Sequence, residues 1–201
     1  MGGSNPDRVE DGAGQAAAAI RAKLRADLVA LRRAVRECGR CAGKGGGIPG
    51  RGEPGASLFM LAGMPGPGAV SSNPWGSWWE GVSSRAREEW GWDLRSVYLS
   101  TALRCPAGRP NRKDVQRCSA YLAEELRIVG PRLVLVSGKV AAVALREALG
   151  GEVPANPKAG DSFRLLNATF LFNLDVARIA EDAGAERVFF RVLKEAEGFL
   201  G

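Results

Sequence analysis

Apolar positions recur along this chain with two different periods. From about Gln15 to Arg36, the residues Ile20, Leu24, Leu28, Leu31 and Val35 return every three or four positions with Arg and Lys between them, which predicts an amphipathic helix. Three later stretches are instead short and unbroken: Ser57–Ala62 (SLFMLA), Ser96–Ser100 (SVYLS) and Leu133–Ser137 (LVLVS). Runs of that length without polar alternation predict strands buried on both faces. Helical spacing predicts helices over Trp78–Glu89, Lys113–Val129, from Gly138 through Leu149, and Ala185–Leu200. A weaker pair, Phe163–Leu166 and Thr169–Phe172, reads as a hairpin about Asn167-Ala168. Residues 1–13, rich in Gly, Asp and Ser, are expected to be a disordered tail, and 14–201 a single domain.

Continuous apolar strands alternating with helices predict an α/β fold, a single-domain three-layer α/β/α sandwich with a mostly parallel central sheet. In such sheets, sites form in the loops beyond the strands' C-terminal ends. Three segments should therefore converge: Gly63–Gly68, Thr101–Cys105 and Asn173–Arg178.

Charge adds a partner class. Lys and Arg number 28 against 22 Asp and Glu, a net charge of +6. Such a surface suits a polyanion, since each neutralised phosphate releases counterions; an arginine-rich composition with no special partner is the bland alternative. There is no histidine, which removes the commonest neutral-pH acid/base. No apolar run approaches the roughly 20 residues that span a bilayer, so no membrane partner is expected. The start, MGGSNPDRVEDGAG, lacks a signal-peptide pattern. A cytoplasmic location is the expectation, where thiols stay reduced and four cysteines favour metal over disulfides. Gly63–Gly68 lacks the Lys-Ser/Thr of a phosphate-cradling P-loop.

The four cysteines are Cys38, Cys41, Cys105 and Cys118. The first two form a CxxC pair where the first helix ends. The second two are separated by PAGRPNRKDVQR, with Cys105 just after a strand and Cys118 within the next helix. Four thiolates suit a 4Fe-4S cluster or a tetrahedral zinc; the long second spacing favours the cluster, and unligated core cysteines are the third reading. Arg104, Arg109, Arg112, Lys113 and Arg117 flank these cysteines, as either a phosphate-contacting strip or a solvated basic face. Trp75, Trp78, Trp79, Trp90 and Trp92 read mainly as core. Trp75, following Pro74 in a loop, is equally suited to stacking on a base.

This order of features resembles the family 4 uracil-DNA glycosylases, the iron–sulfur branch of that superfamily. The resemblance rests on Cys38 and Cys41, Leu61-Ala-Gly-Met-Pro-Gly66, Pro74-Trp75, Tyr98-Leu-Ser-Thr-Ala-Leu-Arg-Cys105-Pro106, Asn111-Arg112, Cys118 before Tyr121-Leu122, and Pro131–Gly138 followed by Val140-Ala141-Ala142. It covers roughly residues 20–200. It implies a monomeric DNA-binding protein of base excision repair. Its base pocket would be built from Gly63, Met64, Trp75 and Thr101, and Arg104, Arg109, Arg112 and Arg178 would contact DNA. Three family residues are replaced. Gly63 stands for a Glu, Thr101 for an Asn that reads the uracil edge, and Asn173 for a His. Trp75 stands for the stacking Phe. The resemblance leaves Asn173 as the donor to the leaving base and Asp175 as the nearest substitute carboxylate. These departures imply weak or altered base excision. The alternative is a non-catalytic DNA-binding homologue or a subunit, with a protein partner, of a repair or defence complex.

Overall fold

The computed structural model describes residues 6–41, 46–92, 96–105 and 110–200, with only the backbone of 6–13. In chain order the elements are α1 (Pro6–Arg36), β1 (Leu58–Ala62), α2 (Ser77–Trp90), β2 (Tyr98–Thr101), α3 (Arg112–Val129), β3 (Leu133–Ser137), α4 (Lys139–Leu149), β4 (Ser162–Leu165), β5 (Ala168–Asn173), a 3-10 turn (Val176–Arg178), α5 (Ala183–Glu195) and α6 (Glu197–Leu200). The five strands form one sheet in the order β2-β1-β3-β5-β4, parallel except for β4.

Side-chain alternation along the strands divides the core into two layers. Phe59, Leu61, Val134, Val136, Phe170 and Phe172 face α1, α3 and α4. Leu58, Met60, Ala62, Leu133, Leu135 and Leu171 face α2 and α5. β1 and β3 are buried along their whole length, as helices on both faces require. This is the three-layer α/β/α fold expected from the sequence.

Two boundaries differ from expectation. α1 begins at Pro6 rather than near Gln15, so its backbone runs through most of the stretch expected as tail. Proline suits a first helical position, where its missing N–H would have no partner in the helix. The β4–β5 turn is centred on Leu166-Asn167, one residue earlier than expected, with φ of 51° and 64°. Two successive left-handed residues make the mirror-image turn that matches strand twist.

The register aligns the C-terminal ends of the parallel strands. Thr101 pairs with Ala62, Ala62 with Ser137, and Ser137 with Asn173. These four residues form one row across the C-terminal edge, and the loops that follow them share one face of the molecule.

Candidate functional site

Beyond this row the first two loops are zipped together. Ala102 N donates to Ala62 O at 2.8 Å and Leu103 N to Gly63 O at 3.1 Å, so strand-like pairing continues past the strand ends. A Cβ on Gly63 would lie 2.9 Å from Val140 Cβ, which leaves no room for a longer side chain in this backbone position. Met64 is half-buried against the core on the α4 side. The Thr101 hydroxyl donates to Leu103 O at 2.8 Å and is fully buried.

Trp75 corrects the sequence expectation. It is 0% exposed, edge-on to Trp79, and its Nε1 donates to Ser100 O at 2.8 Å. An indole enclosed on all sides belongs to the core, and no face of it is open to receive a base. Thr101 in the edge row, and Gly63 and Trp75 beside it, are thus packed shut.

The open part of the edge lies further along, between β3 and β5. A cleft of about 580 Å3 is lined by Gly138, Lys139, Lys158, Asn173, Asp175 and Arg178, among others. Asn173 Nδ2 donates to Phe189 O at 2.9 Å, and its Oδ1 accepts from Leu174 N at 2.8 Å. Its side chain is therefore fixed, with one amide hydrogen outside these bonds. Ser137, not singled out from the sequence, fixes the following loop. Its hydroxyl donates to Leu174 O at 2.9 Å and accepts from Val176 N at 2.8 Å.

Asp175 accepts from Ala177 N at 3.1 Å and caps the 3-10 turn. Its carboxyl lies against Gly138, where a Cβ would come within 2.8 Å of Oδ2, and Gly138 has φ of 87°. Gly138 therefore permits both the turn into α4 and the approach of the carboxylate. Burial pushes the Asp175 carboxyl above its ordinary range, with the Ala177 N–H and the Arg178 charge acting against that shift. Lys139, Lys158 and Arg178 outnumber Asp175, so the cleft is net basic. Arg178 is exposed and pairs with Asp182 at 3.2 Å. Neither lysine was visible as a site residue from the sequence, because each is an isolated cation there.

Arg104 requires a second correction. Expected on a DNA-contacting strip, it is 1% exposed. Its Nη2 donates to Glu125 Oε2 at 2.7 Å and its Nη1 to Ser100 Oγ at 2.6 Å. Glu125 also accepts from Tyr98 Oη at 2.9 Å and from Ser100 Oγ at 2.5 Å. Burial opposes the Arg104 charge, but the Glu125 carboxylate outweighs it and holds the guanidinium more firmly protonated. Among the described residues, Arg104 Nε is buried without a partner. Arg112 does lie outside, paired at 3.6 Å with Glu147, while Arg109 lies outside the described residues.

Beside this network Cys38 and Cys41 come near enough to Cys118 for their charges to act on it. Cys38 and Cys41 follow the end of α1, Cys105 follows β2, and Cys118 is buried in α3. Burial pushes the Cys118 thiol up; a backbone hydrogen bond from Arg104 lowers it, and the charges of Cys41 and Cys38 raise it. That backbone bond comes from the residue adjoining Cys105. Tyr121 is shifted upward by burial and then by a hydrogen bond to Cys38. Asn111 and Asp114 form a capping box that fixes the start of α3. Among the described residues, no group of three or more Cys, Asp or Glu side chains is gathered as a ready metal site. The donor chemistry nonetheless suits a thiolate-ligated centre, since the cysteines that sense one another come from separate segments.

Comparison with known proteins places this geometry. The model of the uracil DNA glycosylase superfamily matches residues 3–172. The chain is 27% identical to the type-4 uracil-DNA glycosylase of Pyrobaculum aerophilum over 134 residues, covering 62% of this chain and 67% of that protein. It is 39% identical to the type-5 uracil-DNA glycosylase of the same organism over 67 residues, covering 32% of this chain and 30% of that protein. The match thus spans less than a third of the type-5 relative's length.

Proposed function

Because the chain belongs to the uracil DNA glycosylase superfamily, we propose that it is a DNA-binding repair protein whose excision of uracil is weak. The observation that carries this reading is the closed slot beside the edge row. Trp75 is fully enclosed, the Thr101 hydroxyl is engaged by Leu103, and no side chain fits at Gly63. Glycosylases extrude the target base into a pocket before cutting the N-glycosidic bond, and a filled slot opposes that step. The open cleft around Asp175 is basic and suits phosphate.

In this reading Asn173 and Asp175 support whatever excision remains. The Asn173 amide hydrogen outside its two bonds would donate to a leaving base, and Asp175 would orient a water. A single neutral donor is a weaker stabiliser than a preorganised set aimed at the developing charge. The closed slot also favours the second reading, a DNA-binding homologue without excision acting with a protein partner in a repair or defence complex.

A 4Fe-4S cluster held by Cys38, Cys41, Cys105 and Cys118 completes the proposal, with zinc as the competing occupant. When bound, the cluster would supply four metal–thiolate bonds that join the end of α1, the loop after β2 and α3. The deciding experiment is single-turnover cleavage of single- and double-stranded oligonucleotides carrying uracil and other deaminated bases, with DNA binding measured in parallel. Binding with slow or no cleavage is the expected result. Rapid cleavage of uracil would overturn the weak-excision reading, and absence of salt-sensitive DNA binding would overturn the function itself.

A further inference from the structure

A second basic groove lies away from the C-terminal edge, between the latter half of α1 and the free side of β2. It has a volume of about 670 Å3, and its lining includes Arg32, Arg36, Arg51, Glu53, Ser71 and Ser96. Its wall is built rather than incidental. Arg51 exchanges two backbone hydrogen bonds of 2.8 Å with Leu99 and so runs antiparallel to the outer edge of β2. Gly50 and Gly52 let this segment lie on the Tyr98 ring; a Cβ on Gly52, with φ of 138°, would come within 2.6 Å of that ring. From α1, Arg32 donates Nε to Gly50 O at 3.0 Å and Nη2 to Gly52 O, which ties helix and segment together.

The charges in this groove are unbalanced. Glu53, the acid in its lining, is paired with Arg25 at 3.3 Å. Among the described residues, neither the exposed Arg36 nor the half-buried Arg51 makes an ion pair or a side-chain hydrogen bond. Two guanidinium groups on fixed backbone, with the hydroxyls of Ser71 and Ser96 beside them, form a donor set for anionic oxygens. Arginine's planar fork matches phosphate better than a point cation does. Ser71 comes from the loop that follows β1, and Ser96 from the segment that precedes β2.

We propose that this groove is a second phosphate site, one that holds the sugar–phosphate backbone of nucleic acid beyond the stretch lying on the C-terminal edge. The inference deepens the DNA-binding reading and rests on it. The lining offers arginine, serine and glycine rather than a large apolar pocket, so backbone charge and not side-chain anchoring selects the ligand.

The test titrates wild type, Arg36→Gln/Arg51→Gln and Lys139→Gln/Arg178→Gln with labelled single- and double-stranded oligonucleotides over a salt series. Each lost phosphate contact should lower the slope of log affinity against log salt by about 0.7 for a single strand or about 0.9 for a duplex. The groove variant should therefore lose up to two such increments, and Arg36→Lys/Arg51→Lys should restore the slope while recovering only part of the affinity. As an independent probe, Ser71→Glu/Ser96→Glu places repelling charge at two exposed positions and should weaken binding without touching an arginine. A wild type that binds DNA, with unchanged slope and affinity in both the Gln and Glu variants, would overturn the groove and leave the DNA reading standing. A wild type that does not bind DNA would remove both. If a poly-glutamate peptide competes as well as an oligonucleotide of equal charge, and does so only through Arg36 and Arg51, the groove belongs to an acidic protein instead.

Discussion

Arg104 and Glu125 form a buried ion pair at 2.7 Å, with side chains 1% and 2% exposed. The pair joins the loop after β2 to the C-terminal part of α3, and Ser100 and Tyr98 supply the remaining hydrogen bonds to the carboxylate. Glu125→Ala leaves a guanidinium in the core with no counter-charge and two hydroxyls without an acceptor. A loss of about 3 to 5 kcal/mol is expected, since removing one member of a buried pair strands the other. Replacing both, as Arg104→Met with Glu125→Leu, should recover much of that loss. Urea unfolding midpoints decide the matter; a Glu125→Ala protein as stable as its parent would show that the pair contributes nothing.

The cysteine set predicts colour. Protein prepared without oxygen should be brown and carry about four irons per chain. Cys105→Ser and Cys118→Ser should each lose iron and melt at lower temperature, because the proposed cluster would join segments distant in sequence. Stoichiometric zinc without iron would replace the cluster with the alternative metal.

Asp175 predicts a pH-dependent gain in stability. Its folded-state pKa is raised above the ordinary carboxylate value, mainly by burial. The folded protein therefore holds the proton more tightly than the unfolded chain, and stability from this group falls as pH rises through the raised pKa. Asp175→Asn keeps a cap for Ala177 N but cannot ionise. Its melting temperature should exceed that of wild type at pH 7, and the gap should close below the ordinary carboxylate range. A variant less stable at pH 7 would mean that the contact with Arg178 outweighs desolvation.

Asn173 predicts a split between fold and chemistry. Asn173→Ala removes a buried hydrogen bond to Phe189 O, so a stability loss of about 1 to 3 kcal/mol is expected. Any slow cleavage of deaminated bases should fall by a further roughly 10²-fold if its remaining amide hydrogen faces the leaving base. Single-turnover rates well below the melting temperature separate the two effects, and unchanged cleavage would exclude Asn173 from the chemistry.

Much of the fold was legible because β1 and β3 lie between two helical layers, so their apolar runs carry no polar interruption. The hairpin was legible from Asn167, though Leu166 gives no hint of its left-handed backbone. The burial of Arg104 was hidden because its partner lies 21 positions away. A sign of it is present in α3. Val115, Cys118, Leu122, Glu125 and Val129 recur every three or four residues, and all are buried. One carboxylate within an apolar stripe demands a buried cation. The enclosure of Trp75 could not be read, since a tryptophan after proline in a loop suits a pocket wall and a core equally. Lys139 and Lys158 reach the same cleft from segments nineteen positions apart, a convergence that needs both the β3–β5 register and the pairing of Gly160 and Asp161 with Phe172.

The segment that pairs Arg51 with Leu99 also settles how this sheet ends. A bare strand edge presents unpaired backbone groups on which another chain can add. Here β2 is covered at Leu99 by that segment. At the opposite side β4 is only four residues long and turns Ser162 and Arg164 outward while Phe163 packs on Phe170. Both margins are thus blunted, one by a backbone cover and one by brevity and charge. A protein with apolar strands as continuous as β1 and β3 is thereby shielded from edge-to-edge aggregation.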